Sequence, residues 1–193
     1  MKRKLKIVGT IASLGLCLAM LVIGVYAATT VTFSISASVS FTVTEAFVDL
    51  TGKVYLGPVA SVKSNEVTAK AYTESSYNPD DTVSAWNIGD VAFTSTNDCI
   101  VYELTIVNAA KSGTVNVKFS ALPVAVTGTT VTAQYKVADG ALTNLVANTD
   151  VSLPATQTMI VTITRTLNDK TTAITSTTAW NPTVTIANPA ANQ

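Results

Sequence analysis

From Thr30 to Thr44 the sequence alternates without a break. Val31, Phe33, Ile35, Ala37, Val39, Phe41 and Val43 are apolar, and every residue between them is serine or threonine. Successive side chains of a strand point to opposite faces, so this period of two makes a ribbon with one greasy face and one hydroxylic face. A helix would scatter the same residues around its whole circumference. Fifteen residues at about 3.3 Å each reach roughly 50 Å, beyond the usual strand of 3–10 residues. The phase slips near Glu45, after which Ala46, Val48, Leu50, Val54 and Leu56 carry the apolar positions. A one-residue slip flips the faces, so a bulge or corner is expected there.

The rest of the chain obeys the same period. Short strands are expected over Val67–Thr73 and Val91–Thr94, and longer ones over Cys99–Asn108, Val131–Val137, Met159–Thr166 and Trp180–Ala187. The polar connector Asn108–Gly113 leads into Val115, Val117, Phe119 and Ala121, which reads as a hairpin with the strand before it. No segment after residue 28 holds a 3.6-residue period, and threonine and valine dominate, as strands prefer. About nine strands separated by Gly, Pro, Asn and Asp clusters predict one all-β domain, an antiparallel β-sandwich or jelly roll, over 28–193. Glu74–Asp90 is the longest stretch without a pattern.

Composition removes several kinds of chemistry. The 193 residues include no histidine, which leaves no Ser/His/Asp triad, Cys/His pair or HExxH metal helix. Only 12% are charged and 48% are hydrophobic, the reverse of a disordered chain. Twelve basic residues balance twelve acidic ones, and no basic cluster lies beyond residue 6, so nucleic acid is not an expected partner.

Lys2, Arg3, Lys4 and Lys6 precede an apolar run from Ile7 to Val25, closed by Val25-Tyr26-Ala27-Ala28. This is the pattern of a signal helix over 1–27, read by a signal peptidase at Val25, Ala27 and Ala28. The other reading is an uncleaved anchor, since about 19 apolar residues just span a bilayer, and it is the only route to the membrane in the sequence. Cys17 is no lipoprotein site, because Leu16 stands where a small residue is needed. Cleavage removes four basic residues and leaves a chain of about −4 with one cysteine, Cys99, which cannot close an internal bridge.

Few side chains suggest a bound ligand. Asp80, Asp81, Asp90, Asn97 and Asp98 form the densest acidic group, a weak calcium candidate whose spacing fits no EF-hand and which otherwise is solvated turn. The same carboxylates carry no sign of a glycosidase pair. No other cofactor or metal is expected. Cys99 opens a strand and reads as a small core residue. Leu153-Pro154-Ala155-Thr156-Gln157 resembles a sortase signal, but no hydrophobic tail follows it. Trp86, Trp180, Tyr72 and Tyr77 are aromatic enough for a sugar platform, although Trp180 at a strand start reads better as core.

The first strand has two fates. Residues 28–44 either pair within their own sheet or extend into a neighbour as a donor strand, with Val31, Phe33, Ile35, Val39, Phe41 and Val43 filling pockets there. The second fate is a head-to-tail contact that does not close, and it builds a filament.

These residues resemble the TasA/camelysin family of exported proteins with SipW-type signal peptides. The resemblance is carried by Gly24-Val25-Tyr26-Ala27-Ala28 followed at once by a strand, by the pair Ile100–Val107 and Val115–Phe119, and by Val161–Asp169 followed by Trp180–Ile186. It implies a non-enzymatic jelly-roll subunit of extracellular biofilm-matrix or pilus-like fibres. Its partners would be further copies or related subunits, joined by N-terminal donor strands. The peptidase activity sometimes attached to camelysin finds no histidine here. A monomeric cell-surface adhesin or carbohydrate-binding sandwich, using the 74–90 loop, is the alternative.

Overall fold

A computed structural model describes residues 33–44, 46–77, 85–94, 96–168 and 179–188. The expected signal helix lies outside them, as do Val25, Ala27, Ala28 and Val31. The described chain forms two sheets. One has the order β4 (Trp86–Phe93), β1 (Phe33–Thr44), β11 (Thr183–Ala187), β6 (Thr114–Phe119) and β9 (Val151–Pro154). The other has the order β3 (Tyr72–Tyr77), β2 (Val48–Gly57), β5 (Cys99–Asn108), β10 (Thr158–Leu167), β7 (Thr129–Val137) and β8 (Thr143–Asn144).

The period of two decides which faces meet. On β1 all six apolar positions from Phe33 to Val43 are buried, while its serines and threonines face outward. On β10 the inward set is Met159, Val161, Ile163, Arg165 and Leu167. Residues of both sheets join one continuous apolar cluster, so the architecture is a β-sandwich, as the alternation predicts. Among the described residues no helix is long and apolar enough to cross a membrane.

The chain changes layer between Thr44 and Val48: β1 lies in the five-stranded sheet and β2 in the six-stranded one. Asn108–Gly113 also carries the chain between layers. β5 and β6 belong to different sheets, so the expected hairpin is an arch between layers. A turn-rich polar connector looks the same from sequence in both cases, because only burial on the far side separates them. Nor is the sandwich wholly antiparallel. β1 runs parallel to β11, from Ser40 beside Thr183 to Thr44 beside Ala187.

Other expectations shift locally. Val67–Thr73 contains a 3-10 turn at Thr68–Lys70 and only the start of β3. β3 and β4 occupy both ends of the stretch between Glu74 and Asp90, whose sequence carries no alternation. The described residues carry eleven strands, because the short β8 and β9 escape a periodicity count. Leu153, in the sortase-like segment, is fully buried in β9.

One glycine sets how closely the layers meet. A Cβ on Gly52 of β2 would stand 2.7 Å from the Trp86 ring of the opposite sheet, so only a residue without a side chain lets that indole lie flat there. Gly52→Ala should cost about 1–3 kcal/mol through overpacking, whereas the neighbouring Thr51→Ala should change stability by less than about 0.5 kcal/mol. Urea unfolding of both variants measures the difference, and equal effects would contradict this packing.

Candidate assembly site

Of all the elements, β1 has the most unusual setting. It is the first described strand, yet it lies inside its sheet with a partner along each edge. Residues 33–39 pair antiparallel with β4, from Phe33 beside Phe93 to Val39 beside Trp86. On the other edge the bonds run from Ser36 to Thr44. Trp180 N donates to Ser36 O (3.1 Å), Ser38 N to Trp180 O (3.1 Å), Ser40 N to Pro182 O (3.0 Å) and Asn188 N to Thr44 O (3.3 Å).

The β4 edge contains a bulge. Ala37 pairs with Gly89 and Ser38 with Asn87, leaving Ile88 as an extra residue. Gly89 has φ +66°, the left-handed conformation that glycine adopts without strain, as bulges of this kind require. The bulge shifts the phase of β4, so that Trp86 and Ile88 on one side of Gly89 and Val91 and Phe93 on the other all turn inward. That phase change hides most of β4 from a simple alternation count. Lys70 then fixes the bulge from outside: Lys70 Nζ donates to Ile88 O (2.6 Å), and Trp86 Nε1 donates to Lys70 O (2.8 Å).

The buried face of β1 meets specific partners. Phe33 stacks on Phe93 with centroids 5.9 Å apart, and Phe41 stacks on Tyr72 at 5.5 Å. Ala37, the one small residue of the set, lies beside Trp180, whose Nε1 donates to Ala121 O (3.3 Å) and whose ring tilts against Tyr102. Trp86 and Trp180 are therefore core residues, and Tyr72 is committed to Phe41. The side chain of Tyr77 lies outside the described residues. Of the residues expected to fill donor pockets, Phe33, Ile35, Val39, Phe41 and Val43 thus fill a trough in their own subunit.

The acidic candidates are not gathered by the described structure. Asp80 and Asp81 fall outside the described residues. Asp90 lies on the exposed face of β4, and Asp98 Oδ1 accepts a bond from Val59 N at 2.8 Å, which fixes the turn after β2. Among the described residues no three His, Cys, Asp or Glu side chains cluster. Cys99 is buried, but in a small second cluster with Tyr55, Val62 and Val101, outside the main core. Burial pushes its thiol pKa up, which keeps the sulfur protonated and unreactive.

Two polar groups inside the core were not singled out by sequence reasoning. Arg165 and Tyr102 are each 1% exposed, and neither Arg165 Nε nor the Tyr102 hydroxyl has a hydrogen-bond partner in the described structure. Burial lowers the Arg165 pKa. The signal was available, since Arg165 stands in the inward phase after Met159, Val161 and Ile163.

No protein-family model matches the chain, and no curated protein matches it at a significant level. Among solved structures, the major pilin protein (T-13) from Streptococcus pyogenes serotype GAS131465 aligns over 83% of this chain and 99% of its own, at 10% identity and a TM-score of 0.19. A TM-score that low establishes no common fold, and the functional reading rests on the geometry of β1.

Burial pushes the Tyr102 phenol up to about 12. An unfolded tyrosine ionises near 10, so the neutral phenol favours the fold fully below pH 10 and that contribution is lost between pH 10 and 12. Tyr102→Phe should flatten this alkaline loss in a urea-unfolding profile. Because it also removes an unpartnered hydroxyl, it should lower stability at pH 7 by no more than about 1 kcal/mol. A larger loss would mean that the hydroxyl has a bonding partner.

Proposed function

We propose that the chain is an exported, non-enzymatic structural subunit that polymerises head to tail outside the cell, each copy giving its β1 to the sheet of the next. The observation that carries this reading is the setting of β1: both edges bonded, one face wholly buried, and a connection to the body of only three residues, 45–47. That short connection is the link from β1 to the rest of the described chain. Departure of β1 opens the edges of β4 and β11 and uncovers Phe93, Trp86 and Tyr72, a state that demands another strand of the same kind.

A second copy supplies an identical strand. The exchanged contacts then repeat the internal ones, so monomer and polymer differ little in contact energy, and concentration drives the assembly. Main-chain bonds give generic cohesion, and the order Phe33, Ala37, Phe41 against Phe93, Trp180 and Tyr72 sets the register. The resemblance to the TasA/camelysin family supports the same reading and adds its setting, an extracellular matrix or pilus-like fibre on the cell surface. An N-terminal segment cleaved on export would release the strand. The absence of histidine supports a non-enzymatic role.

The register supplies the test. Thr42 and Thr185 are partners across the β1–β11 pair. A Thr42→Cys/Thr185→Cys variant, with Cys99→Ala, is expressed as the full chain for export, concentrated and oxidised. Exchange yields a ladder of covalent multimers on a non-reducing gel and filaments by electron microscopy. Cross-linked monomers alone at every concentration would refute exchange, and glycan binding by that monomer would favour the adhesin reading.

A further inference from the structure

The end of the sandwich where β1 leaves carries an open groove of about 480 Å³. Ala46 and Phe47 line it on one side, the β5–β6 arch from Asn108 through Lys111 and Gly113 on the other, and Asn188 beside them. The arch is firmly held. Asn108 is buried, its Nδ2 donates to Leu153 O (3.0 Å), and its Oδ1 accepts from Ala110 N (3.2 Å). Phe47 differs from its surroundings: its carbonyl accepts from Ala109 N (2.9 Å), yet 50% of the residue is exposed.

We infer that this groove is the surface on which the body of a neighbouring copy packs, and that Phe47 of the incoming copy is its occupant. The inference rests on the exchange of β1 and deepens it. In the closed subunit the slot ends where Asn188 N meets Thr44 O, at the rim of the groove. An incoming β1 in the same register ends at the same point. Its Val48 is four residues further along and lies at most about 14 Å away, because an extended chain advances about 3.5 Å per residue. The incoming body is therefore tethered to this end of the acceptor and no other. Phe47 of that copy is one residue short of Val48, so it is the large apolar side chain held nearest the groove. Burying an aromatic ring of this size is what anchors small interfaces. The outward positions of β1 itself, serines and threonines, offer no comparable anchor.

The tether makes the contact intramolecular in effect, so a modest surface is enough to stiffen the joint between subunits. Strand exchange alone would leave successive bodies swinging on a short connection. With Phe47 seated, they hold one angle, and the polymer is a straight or regularly coiled fibre.

Two measurements on the full exported chain test this. Phe47→Asp in the Thr42→Cys/Thr185→Cys, Cys99→Ala background should raise the concentration needed for the covalent ladder at least tenfold, without lowering the melting temperature of the monomer by more than a few degrees. Separately, a chain carrying Phe47→Cys mixed with one carrying Ser112→Cys, both with Cys99→Ala, should form the mixed 47–112 disulfide during assembly. A wild-type ladder from Phe47→Asp together with no mixed disulfide overturns the groove and leaves strand exchange standing. A parent variant that cross-links only within itself overturns both. The mixed disulfide decides the matter if Phe47→Asp fails to fold.

Discussion

The whole five-stranded sheet depends on one contact, the parallel laying of β1 against β11, which joins the two ends of the described chain. Among the described residues β4 is bonded to the rest of its sheet only through β1, and β6 and β9 are joined to β1 only through β11. Without β1 the sheet separates into β4 and a three-stranded remainder, and the core loses the face from Phe33 to Val43. The hydrogen-bonded ladder of the opposite sheet runs from β3 through β2, β5, β10 and β7 to β8 and includes neither β1 nor β11. The molecule thus combines a layer whose ladder closes without β1 with one whose ladder hinges on it.

The local features serve that contact. The bulge at Gly89 lets β4 present both Trp86 and Phe93, seven residues apart, to the same interior while pairing with a β1 that alternates without a break. Lys70, reaching in from the other layer's connecting segment, holds the bulge by its carbonyl. Gly52 makes room for Trp86. A glycine in a central strand, a lysine in a short 3-10 turn and a phase change in an edge strand look unrelated in sequence, but they meet around one indole.

The sequence made the ribbon of residues 33–44 legible because alternation is a property of single residues and needs no partner. It likewise made β5, β7 and β10 legible. The connector at 108–113 is an arch and not a hairpin, a difference absent from the pattern because the pairing of two strands is decided by which layer each joins. The parallel β1–β11 pair joins residues about 140 apart in the chain, and no local signal encodes polarity at that distance. The candidate site was half legible: the buried set of β1 stands out at once, but its slot is made of β4 and β11 residues whose phase is broken by a bulge or interrupted by prolines at the ends. Phe47 was invisible as a candidate, because an aromatic just past a phase slip looks like any other member of the next strand.

From Phe33 to Thr44 there is not one side chain that gains or loses a proton. The ladder bonds along both edges of the ribbon are main-chain amides, and Ser38 Oγ adds a bond to Asn87 Oδ1 (2.9 Å). Acid, alkali short of denaturation and salt have little to act upon there. A joint made from this strand would hold equally in dilute and concentrated media, a useful property for cohesion in surroundings that the cell does not control.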